Sequence, residues 1–496
     1  MQIFTNGQIY QGRPDQWAEA LIVDGAGMIL AVGAQDDLQK RFPNAIREDL
    51  HGGFLFPGFI DSHTHPALLC REIRDPNLSN IKSWQHAKTH IQEYITAHPG
   101  REWYVIFGWN EELWGTLTNA LLDEITTHAS LFIVHESYQR GVINSVGIEK
   151  IRTAEQRLRH IKGVVREQDF RRVQKHTFPS YDELLTLLPR FLRDLRKNGA
   201  TTIHDTLVMS IDQLRAYITL DQASLLPVEV IAFLHESLLH HPDIETYLKY
   251  TGKHFTVAGI KIFADGTLNE HTAHLHDPYT DEPTEHGLAS TSMETMQEMI
   301  EHTAHVGLMH IAFHAIGDAA VTRSLDAIEM YKKNNHGSRL EFRIDHAELI
   351  DPQDIPRIKK YAVSVVMQPS YVLDRFRFKD RLGDRTKKIN RIHPLLEAGI
   401  AVAAGTENHM KQPLACIAES TKADLTAEQK ISVAQGIELY TTAGAKLSHM
   451  DQFIGSLNTG KRADMILLNE NPFAPETKVE KITVMQSWFI GTPEFR

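Results

Sequence analysis

Cysteine is scarce in this chain, which has only Cys70 and Cys416 among its 496 residues. Two cysteines are too few for a disulfide framework, and neither belongs to a Cys-x-x-Cys pair of the kind found in zinc ribbons and redox sites. The low cysteine content therefore excludes the small, disulfide-rich class of secreted domains. It fits the reducing cytoplasm, which is the location we expect.

Basic runs and long apolar runs are also missing. No stretch holds five or more consecutive basic residues, and the formal net charge of −11 argues against a partner with a phosphate backbone. No apolar stretch approaches the ~18 residues that span a bilayer, and residues 1–10 lack the basic and apolar regions of a signal peptide. We expect neither nucleic acid nor a membrane as partner, but a small-molecule substrate.

The composition that remains is that of a folded globular protein, with 42% hydrophobic and 23% charged residues. Strand-like runs alternate with helical patterns through the middle of the chain, which is typical of a parallel sheet with crossover helices. Eight such runs occur, the number that closes a (β/α)8 TIM barrel. The predicted strands are Phe56–Asp61, Thr201–His204, Val228–Leu234, Ala258–Phe263, Met309–Phe313, Glu341–Ile344, Val363–Met367 and Ile400–Ala404. We therefore predict an α/β fold with a barrel over residues 56–449.

Two regions fall outside the eight strands. Short strand-like pieces near the N-terminus, broken by turn residues, have counterparts near the C-terminus. We predict that residues 1–55 and 450–496 combine into one composite β-sandwich. Residues 68–195 carry their own apolar runs, Trp103–Phe107 and Leu131–Val134, and are predicted to form a subdomain inserted after the first strand.

The first predicted strand leads into a pair of histidines, His63 and His65. Barrel enzymes place their chemistry at the carboxyl ends of the strands. Alternate residues of an extended chain point the same way, so the two imidazoles can converge on one metal ion. A His-x-His pair alone is weak evidence in a chain with 28 histidines, but its position after an apolar run favours a metal site.

Lys261 lies inside the apolar run Gly259–Phe263, where an isolated ammonium group would be costly to bury. One interpretation is a salt bridge to a neighbouring carboxylate. The other is that burial deprotonates the amine, which then reacts with carbon dioxide to form a carbamate bridging two metals. The sequence leaves both alternatives open.

His314 and His346 end the fifth and sixth predicted strands, and Glu407 follows the eighth. Each histidine alone is more often an ordinary hydrogen-bonded residue, and Glu407 alone fits a helix cap or a surface acid. With His63, His65 and Lys261, however, the two histidines make five ligand-capable side chains on four different strands, which are hard to explain separately. A carboxylate at the position of Glu407 can bind a metal and accept a proton from the attacking water. A rival cluster of His271, His274 and His276 lies in a loop-like region, and we assign it to the substrate loop or the surface.

Seven segments of the chain carry a resemblance to a known family: 56–65 (FPGFIDSHTH), 108–110 (GWN), 199–202 (GATT), 261–266 (KIFADG), 314–318 (HAIGD), 345–348 (DHAE) and the tail from 455–457 (GSL) to 460–464 (GKRAD). Together they resemble the YtcJ-like amidohydrolases, the third amidohydrolase subgroup of the amidohydrolase superfamily. The resemblance covers nearly the whole chain. It implies a metal-dependent hydrolase that acts on carbon–nitrogen bonds other than peptide bonds, with one or two divalent ions, usually zinc.

Position by position, the resemblance implies a set of metal ligands that comprises His63, His65, Lys261, His314, His346 and Glu407. Lys261 and Glu407 are the catalytic residues among them, and N6-carboxylysine is the modified form that the resemblance implies for Lys261. Glu407 stands where the family normally has Asp, and the added methylene moves the carboxylate by about a bond length or more.

Further departures concern the region where the substrate is expected. The family has Asp-Gly-His before an Asn-Ser pair where this chain has Ser137, Tyr138 and Gln139, and it has Arg at the position of His271. These differences indicate a substrate unlike those of better-known relatives. The residues that we assign to substrate binding are Trp109, Gln139, Asp265, His271 and Gln368.

The predicted reaction is hydrolysis by a metal-bound hydroxide. The metal lowers the pKa of water toward ~7 and polarises the scissile carbonyl, while the carboxylate after strand eight passes the proton to the leaving nitrogen. The expected substrate is an amide, an imide or a related small molecule. Two alternatives remain, a deaminase with one metal and an uncarboxylated lysine, and a barrel without turnover that serves as a binding or scaffold protein. The oligomeric state is left open, a homodimer included.

Overall fold

An eight-stranded parallel sheet that curves into a nearly closed barrel forms the centre of the computed structural model, which describes residues 1–407 and 412–494. Each strand pairs with the next one along the chain, so the order in space follows the order in sequence. The strands are β1 (Phe59–Thr64), β2 (Ala200–Val208), β3 (Glu229–His235), β4 (Phe255–Phe263), β5 (His310–Ala315), β6 (Glu341–His346), β7 (Ser364–Met367) and β8 (Val402–Ala404). The predicted TIM barrel is confirmed.

Helices connect the strands and pack their apolar sides against the sheet. Ile300 of helix Met293–His305 and Leu325 of helix Asp318–Asn334 belong to the same buried cluster as Ile262 of β4. No helix in the described part of the chain has both the length and the apolar character needed to cross a membrane. Outside residues 70–197, the α-helices are Gln35–Arg41, Pro66–Leu69, Ile211–Gln222, Ile244–Leu248, Met293–His305, Asp318–Asn334, Ile355–Lys360, Asp374–Arg377, Lys379–Leu382, Ile392–Glu397, Pro413–Ser420, Val433–Leu439 and Thr442–Leu447.

A buried carboxylate joins the two ends of the barrel sheet, β1 and β8. Asp61 of β1 accepts hydrogen bonds from the backbone NH (3.0 Å) and the hydroxyl (2.5 Å) of Thr406, directly after β8. The backbone NH of Glu407 also donates to the carbonyl of His63, at 2.9 Å. Burial raises the pKa of Asp61 to about 6, against the effect of the hydrogen bonds from Thr406. The closure of the barrel thus depends on a side chain two residues before His63.

The N- and C-terminal segments form two packed sheets, which confirms the predicted composite sandwich. One sheet has the strand order Ile29–Gly33, Ala20–Val23, Gln2–Thr5, Ile46–Asp49. The other has the order Thr492–Pro493, Val484–Phe489, Met465–Leu468, Phe54–Pro57, Gln8–Tyr10, Trp17–Ala18. Phe4 of the first sheet contacts Trp488 of the second edge to face, with ring centroids 5.4 Å apart. Residues from both chain termini therefore share one core.

The first predicted strand differs from the observed one. Phe54–Pro57 pairs with Met465–Leu468 in the sandwich, and the barrel strand begins only at Phe59. The backbone NH of Gly58, between them, donates to the carbonyl of Asp464 at 2.8 Å. Two consecutive buried strands that belong to different sheets give one continuous apolar run, which explains why the sequence pattern merged them.

Residues Ala67–Leu188 form a second compact unit, separate from the unit made of Met1–Pro66 and Pro189–Arg496. Its sheet has the order Val164–Arg166, Arg140–Ile143, Ser130–His135, Trp103–Trp109, with only the last pair parallel. Alternate residues of its strands enter two buried clusters, with Phe107 and Phe132 in one and Ile106 and Ile133 in the other. Its helices are Trp84–Ala97, Glu111–Trp114, Asn119–Asp123, Ser145–Ala154 and Glu167–Lys175, and Tyr181–Lys197 leads on to β2.

Removing the Asp61 carboxylate is expected to weaken the closure of the barrel. In Asp61→Ala, the buried NH and hydroxyl of Thr406 lose their acceptor, and a buried donor left without a partner costs about 1–3 kcal/mol. We expect the free energy of unfolding to fall by about 1–3 kcal/mol in urea denaturation followed by circular dichroism. The control is Asp384→Ala, at a carboxylate that is 97% exposed. An Asp61→Ala protein as stable as this control would contradict the proposed closure.

Candidate metal centre

Four histidine rings form a row at the carboxyl ends of β1, β5 and β6. The ring centroids are 5.0 Å apart for His65 and His63, 4.7 Å for His63 and His346, and 4.4 Å for His346 and His314. His63 is completely buried, and the side chain of His65 is 12% exposed. The structure thus brings together the four imidazoles that the sequence singled out.

The carboxylate of Glu407 lies among three of these rings. Its Oε2 atom is 3.2 Å from Nε2 of His63 and 3.8 Å from Nδ1 of His346, and its Oε1 atom is 3.2 Å from Nε2 of His65. Burial disfavours the ionised carboxylate, but the three imidazoles hold the pKa of Glu407 well below its usual range. Its φ of 70° lies in the left-handed region, which is uncommon for a residue other than glycine. Strained residues of this kind are concentrated at functional sites.

A second carboxylate, Asp345 at the end of β6, connects this row to two buried cations. Its Oδ2 atom is 3.2 Å from Nδ1 of His63 and accepts a hydrogen bond from the amine of Lys261. Its Oδ1 atom accepts from Nε of Arg343 at 2.7 Å. Burial opposes ionisation, but Arg343 and Lys261 hold the pKa of Asp345 well below its usual value. For Lys261 the structure therefore has the salt bridge, the first of the two predicted alternatives.

Arg343 connects the carboxylate of Asp345 to further residues of the barrel. Its Nη1 atom lies 3.0 Å from Nδ1 of His204, its Nη2 donates to the carbonyl of Ser62 at 3.0 Å, and its guanidinium lies 4.6 Å from the ring centre of Phe233. His204 in turn contacts the hydroxyl of Ser448 at 2.8 Å. Burial, together with the charge of Arg343, lowers the pKa of His204 well below its usual value, so this imidazole is neutral. These contacts fix the position of Arg343 and, through it, of Asp345.

Arg343 and Asp345 were not among the predicted site residues. A pattern that could have identified them is present, because they alternate with Phe342 and Ile344 along β6 and so share one face of the strand. Two charged residues on an otherwise apolar, buried strand must be paired with one another or with further charges. Lys261, two strands away on β4, required such a partner.

Two further side chains contact the histidines of the row. Oε1 of Gln368 lies 3.0 Å from Nδ1 of His346, and the hydroxyl of Thr206 lies 3.2 Å from Nδ1 of His65. Partners of this kind orient the rings of metal-binding histidines. Gln368, predicted to bind substrate, thus contacts a candidate ligand, and its substrate role stays a prediction.

Asp265 and His314 are neighbours at the ends of β4 and β5. Nε2 of His314 lies 3.0 Å from the carbonyl of Gly266 and 3.8 Å from Oδ1 of Asp265. The carboxylate of Asp265 is buried and accepts hydrogen bonds from the backbone NH groups of Ile316 (3.0 Å) and Gly317 (2.8 Å). These bonds hold the turn after β5, and substrate binding by Asp265 stays a prediction.

The remaining predicted substrate residues lie elsewhere in the chain. His271 pairs with Asp281 at 3.0 Å. Trp109 and Gln139 belong to the second unit, where the indole NH of Trp109 donates to the carbonyl of Gly115 at 3.0 Å. Their assignment to the substrate stays a prediction.

The donor set fits a divalent transition metal. Within the described residues, neither ring nitrogen of His63 has a hydrogen-bond partner of good geometry, and Oε2 of Glu407 also has none. Buried polar atoms are nearly always hydrogen-bonded, so Nε2 of His63 and Oε2 of Glu407, which face each other at 3.2 Å, indicate a shared cation. Imidazole nitrogens and carboxylate oxygens are the common ligands of zinc. One ligand atom each from His63, His346 and Glu407 can be chosen so that all three lie within 4.8 Å of one another.

Comparisons with known proteins agree with this geometry. The family model described as "Amidohydrolase family" matches residues 48–493. The Bacillus subtilis (strain 168) protein named "Putative amidohydrolase YtcJ" is 26% identical over 92% of this chain and 92% of its own length. The N-substituted formamide deformylase of Arthrobacter pascens is 21% identical over 96% of this chain and 94% of its own length. The crystal structure of an uncharacterized metal-dependent hydrolase from Pyrococcus horikoshii OT3 covers 97% of this chain and 99% of its own, with a TM-score of 0.83 and 23% identity.

Loss of a central imidazole is expected to remove bound metal. His63→Ala should lose at least one equivalent of divalent metal relative to the wild-type protein, measured by inductively coupled plasma mass spectrometry after expression in zinc-supplemented medium. It should also lose hydrolytic activity without unfolding, as judged by circular dichroism. His90→Ala, at a half-exposed histidine on the surface, is the control and should keep the wild-type metal content. Equal metal content in His63→Ala and wild type would exclude His63 as a ligand.

Proposed function

The chain belongs to the amidohydrolase family, and on that premise we propose that it hydrolyses a carbon–nitrogen bond, other than a peptide bond, in a small amide, imide or related compound. The observation that carries the proposal is the Glu407 carboxylate held among three imidazoles at the carboxyl end of the barrel. Active sites of barrel enzymes lie at this end. A carboxylate there, kept ionised and in contact with metal-binding rings, is the arrangement that hydrolytic chemistry requires.

We propose a zinc centre at the row of histidines. His63, His65, His314, His346 and Glu407 would hold one or two ions. When bound, such an ion acidifies water and polarises the bond that is to be cleaved. Lys261 has two forms that are compatible with the proposal, the ammonium paired with Asp345 and an N6-carboxylated lysine that would bridge two ions.

Glu407 is the proposed proton carrier. The imidazoles that surround it hold its pKa well below its usual range, so the carboxyl group is ionised, which is the form that can accept a proton from the attacking water. The same carboxyl group would then donate the proton to the leaving nitrogen. Its backbone NH is bound to the carbonyl of His63, which fixes the base relative to the first-strand histidines.

Asp345 and Arg343 are proposed as positioning residues. Asp345 contacts Nδ1 of His63, and Arg343 fixes the other oxygen of the same carboxylate. A carboxylate beside a ligand histidine sets the orientation and raises the basicity of the ring. The side chains of Arg343 and Asp345 are buried, at 3% and 0% exposed, and both would act through His63.

A product assay tests the proposed reaction class. Metal-replete protein would be incubated with N-substituted formamides, cyclic imides and amino-substituted heterocycles. The formamides are tested first, because the named activity of the Arthrobacter pascens relative supports amides with a small acyl group as substrates. From an N-substituted formamide we expect equal amounts of formate and amine, and from a cyclic imide a single ring-opened product that carries a carboxylate and an amide, measured by mass spectrometry. Ammonia with no carboxylate product would indicate a deaminase instead. Metal-replete protein that turns over none of these classes would contradict the proposal and favour a binding role.

Replacing the proposed base tests its role separately. Glu407→Gln keeps the size of the side chain but cannot accept the proton, and loss of a general base typically costs ~10²–10⁴-fold in rate. We expect kcat on an amide substrate to fall at least about 100-fold. Glu480→Gln, at an exposed glutamate, is the matched control. A wild-type kcat in Glu407→Gln would exclude Glu407 as the base.

A further inference from the structure

A second group of metal-binding side chains lies at the opposite end of the barrel. His310 is the first residue of β5, Glu341 is the first residue of β6, and His449 follows helix Thr442–Leu447. His310 and Glu341 are direct cross-strand neighbours in the sheet. Glu341 and His346 are five positions apart along β6, which corresponds to about 16 Å along an extended strand. The group is therefore separate from the centre around Glu407.

The three side chains converge on one point. Oε2 of Glu341 is 2.9 Å from Nε2 of His449 and 3.7 Å from Nδ1 of His310. One ligand atom from each residue lies within 4.8 Å of the other two. Ligands bound at ~2.0–2.2 Å from a tetrahedral zinc are roughly 3.3–3.5 Å apart. Small side-chain rotations would therefore suffice to place all three atoms around one ion.

The group is accessible to an ion from solvent. The side chains of His449 and Glu341 are 61% and 49% exposed, and that of His310 is 20% exposed. His310 and Glu341 also line a cavity of about 420 Å³, from which water or a small ligand can complete the coordination.

We propose that His310, Glu341 and His449 form a second binding site for a divalent transition metal, at the amino end of the barrel. Two imidazoles and one carboxylate suit zinc, nickel or copper, whereas magnesium and calcium prefer sites made of oxygen ligands alone. An ion at this position connects the starts of two neighbouring strands to the segment that follows helix Thr442–Leu447. Because the ion binds the folded chain, it stabilises the fold. This inference does not depend on the proposed reaction.

Equilibrium dialysis against a fixed free concentration of Zn²⁺ tests the site. Protein-bound zinc would be measured for the wild type, Glu341→Gln and His449→Ala, with circular dichroism to verify the fold. We expect one zinc fewer per chain in each variant, while the turnover of the loaded enzyme stays at the wild-type rate. The control is His51→Ala, a 78% exposed histidine that lies 3.7 Å from a single carboxylate, and it should bind as much zinc as the wild type.

The same zinc content in all four proteins would overturn the proposal. A second measurement uses the wild type alone and does not depend on how the variants fold. Crystals soaked in Zn²⁺ and measured at the zinc absorption edge should give an anomalous peak bounded by Nδ1 of His310, Oε2 of Glu341 and Nε2 of His449. Anomalous peaks at the Glu407 centre alone would likewise overturn it.

Discussion

The contact between the Asp345 carboxylate and the two buried cations beside it is the interaction on which the barrel interior depends. Lys261 is 1% exposed, Arg343 is 3% exposed, and both reach the same carboxylate. An uncompensated charge at such depth would cost several kcal/mol. The third contact of Asp345 is Nδ1 of His63, so the group that neutralises the cations also orients the central ring of the histidine row. Stability and the geometry of the metal centre are thus coupled through one carboxylate.

The formal charges around this carboxylate bear on the proposed metal. Lys261 and Arg343 carry two positive charges, while Asp345 and Glu407 carry two negative ones, so the four groups are balanced without an ion. A divalent cation adds two positive charges to this set. Conversion of the Lys261 ammonium into a carbamate replaces one positive charge by one negative charge, which offsets one such ion. The charge balance therefore favours carboxylation of Lys261 when one divalent ion is bound, and it favours the salt bridge to Asp345 when no ion is bound.

The fold was predictable because its main signals are local. Eight apolar runs at crossover spacing predict the barrel, and the ligand-capable residues after them follow from the rule that barrel chemistry lies at the carboxyl ends of strands. The start of β1 was predicted three residues early because Phe54–Pro57 and the first two residues of Phe59–Thr64 form one buried apolar run, although the two strands belong to different sheets. The pairing of Phe54–Pro57 with Gln8–Tyr10 and with Met465–Leu468, which are distant in sequence, separates them.

The residues of the site that were not predicted are those that contact the proposed metal ligands. The sequence shows that Lys261 needs a carboxylate, but Asp345 lies 84 residues further along the chain, and no local pattern connects the two. Their contact follows from the barrel, because β4, β5 and β6 are consecutive neighbours. Trp109 and Gln139 are a different case, since their predicted role requires knowledge of the substrate, which neither composition nor periodicity contains.

The inner face of β6 also accounts for the separation of the two groups of metal-binding residues. Glu341, Arg343 and Asp345 alternate along this strand, so they share one face. Glu341 belongs to the group at the amino end and Asp345 to the centre at the carboxyl end, and Arg343 lies between them. The cross-strand neighbour of Arg343 on β5 is Ala312, whose small side chain leaves room for the guanidinium. Arg343 and its partner Asp345 occupy the space between the two groups, so a buried ion pair separates the proposed site at the amino end from the proposed centre at the carboxyl end.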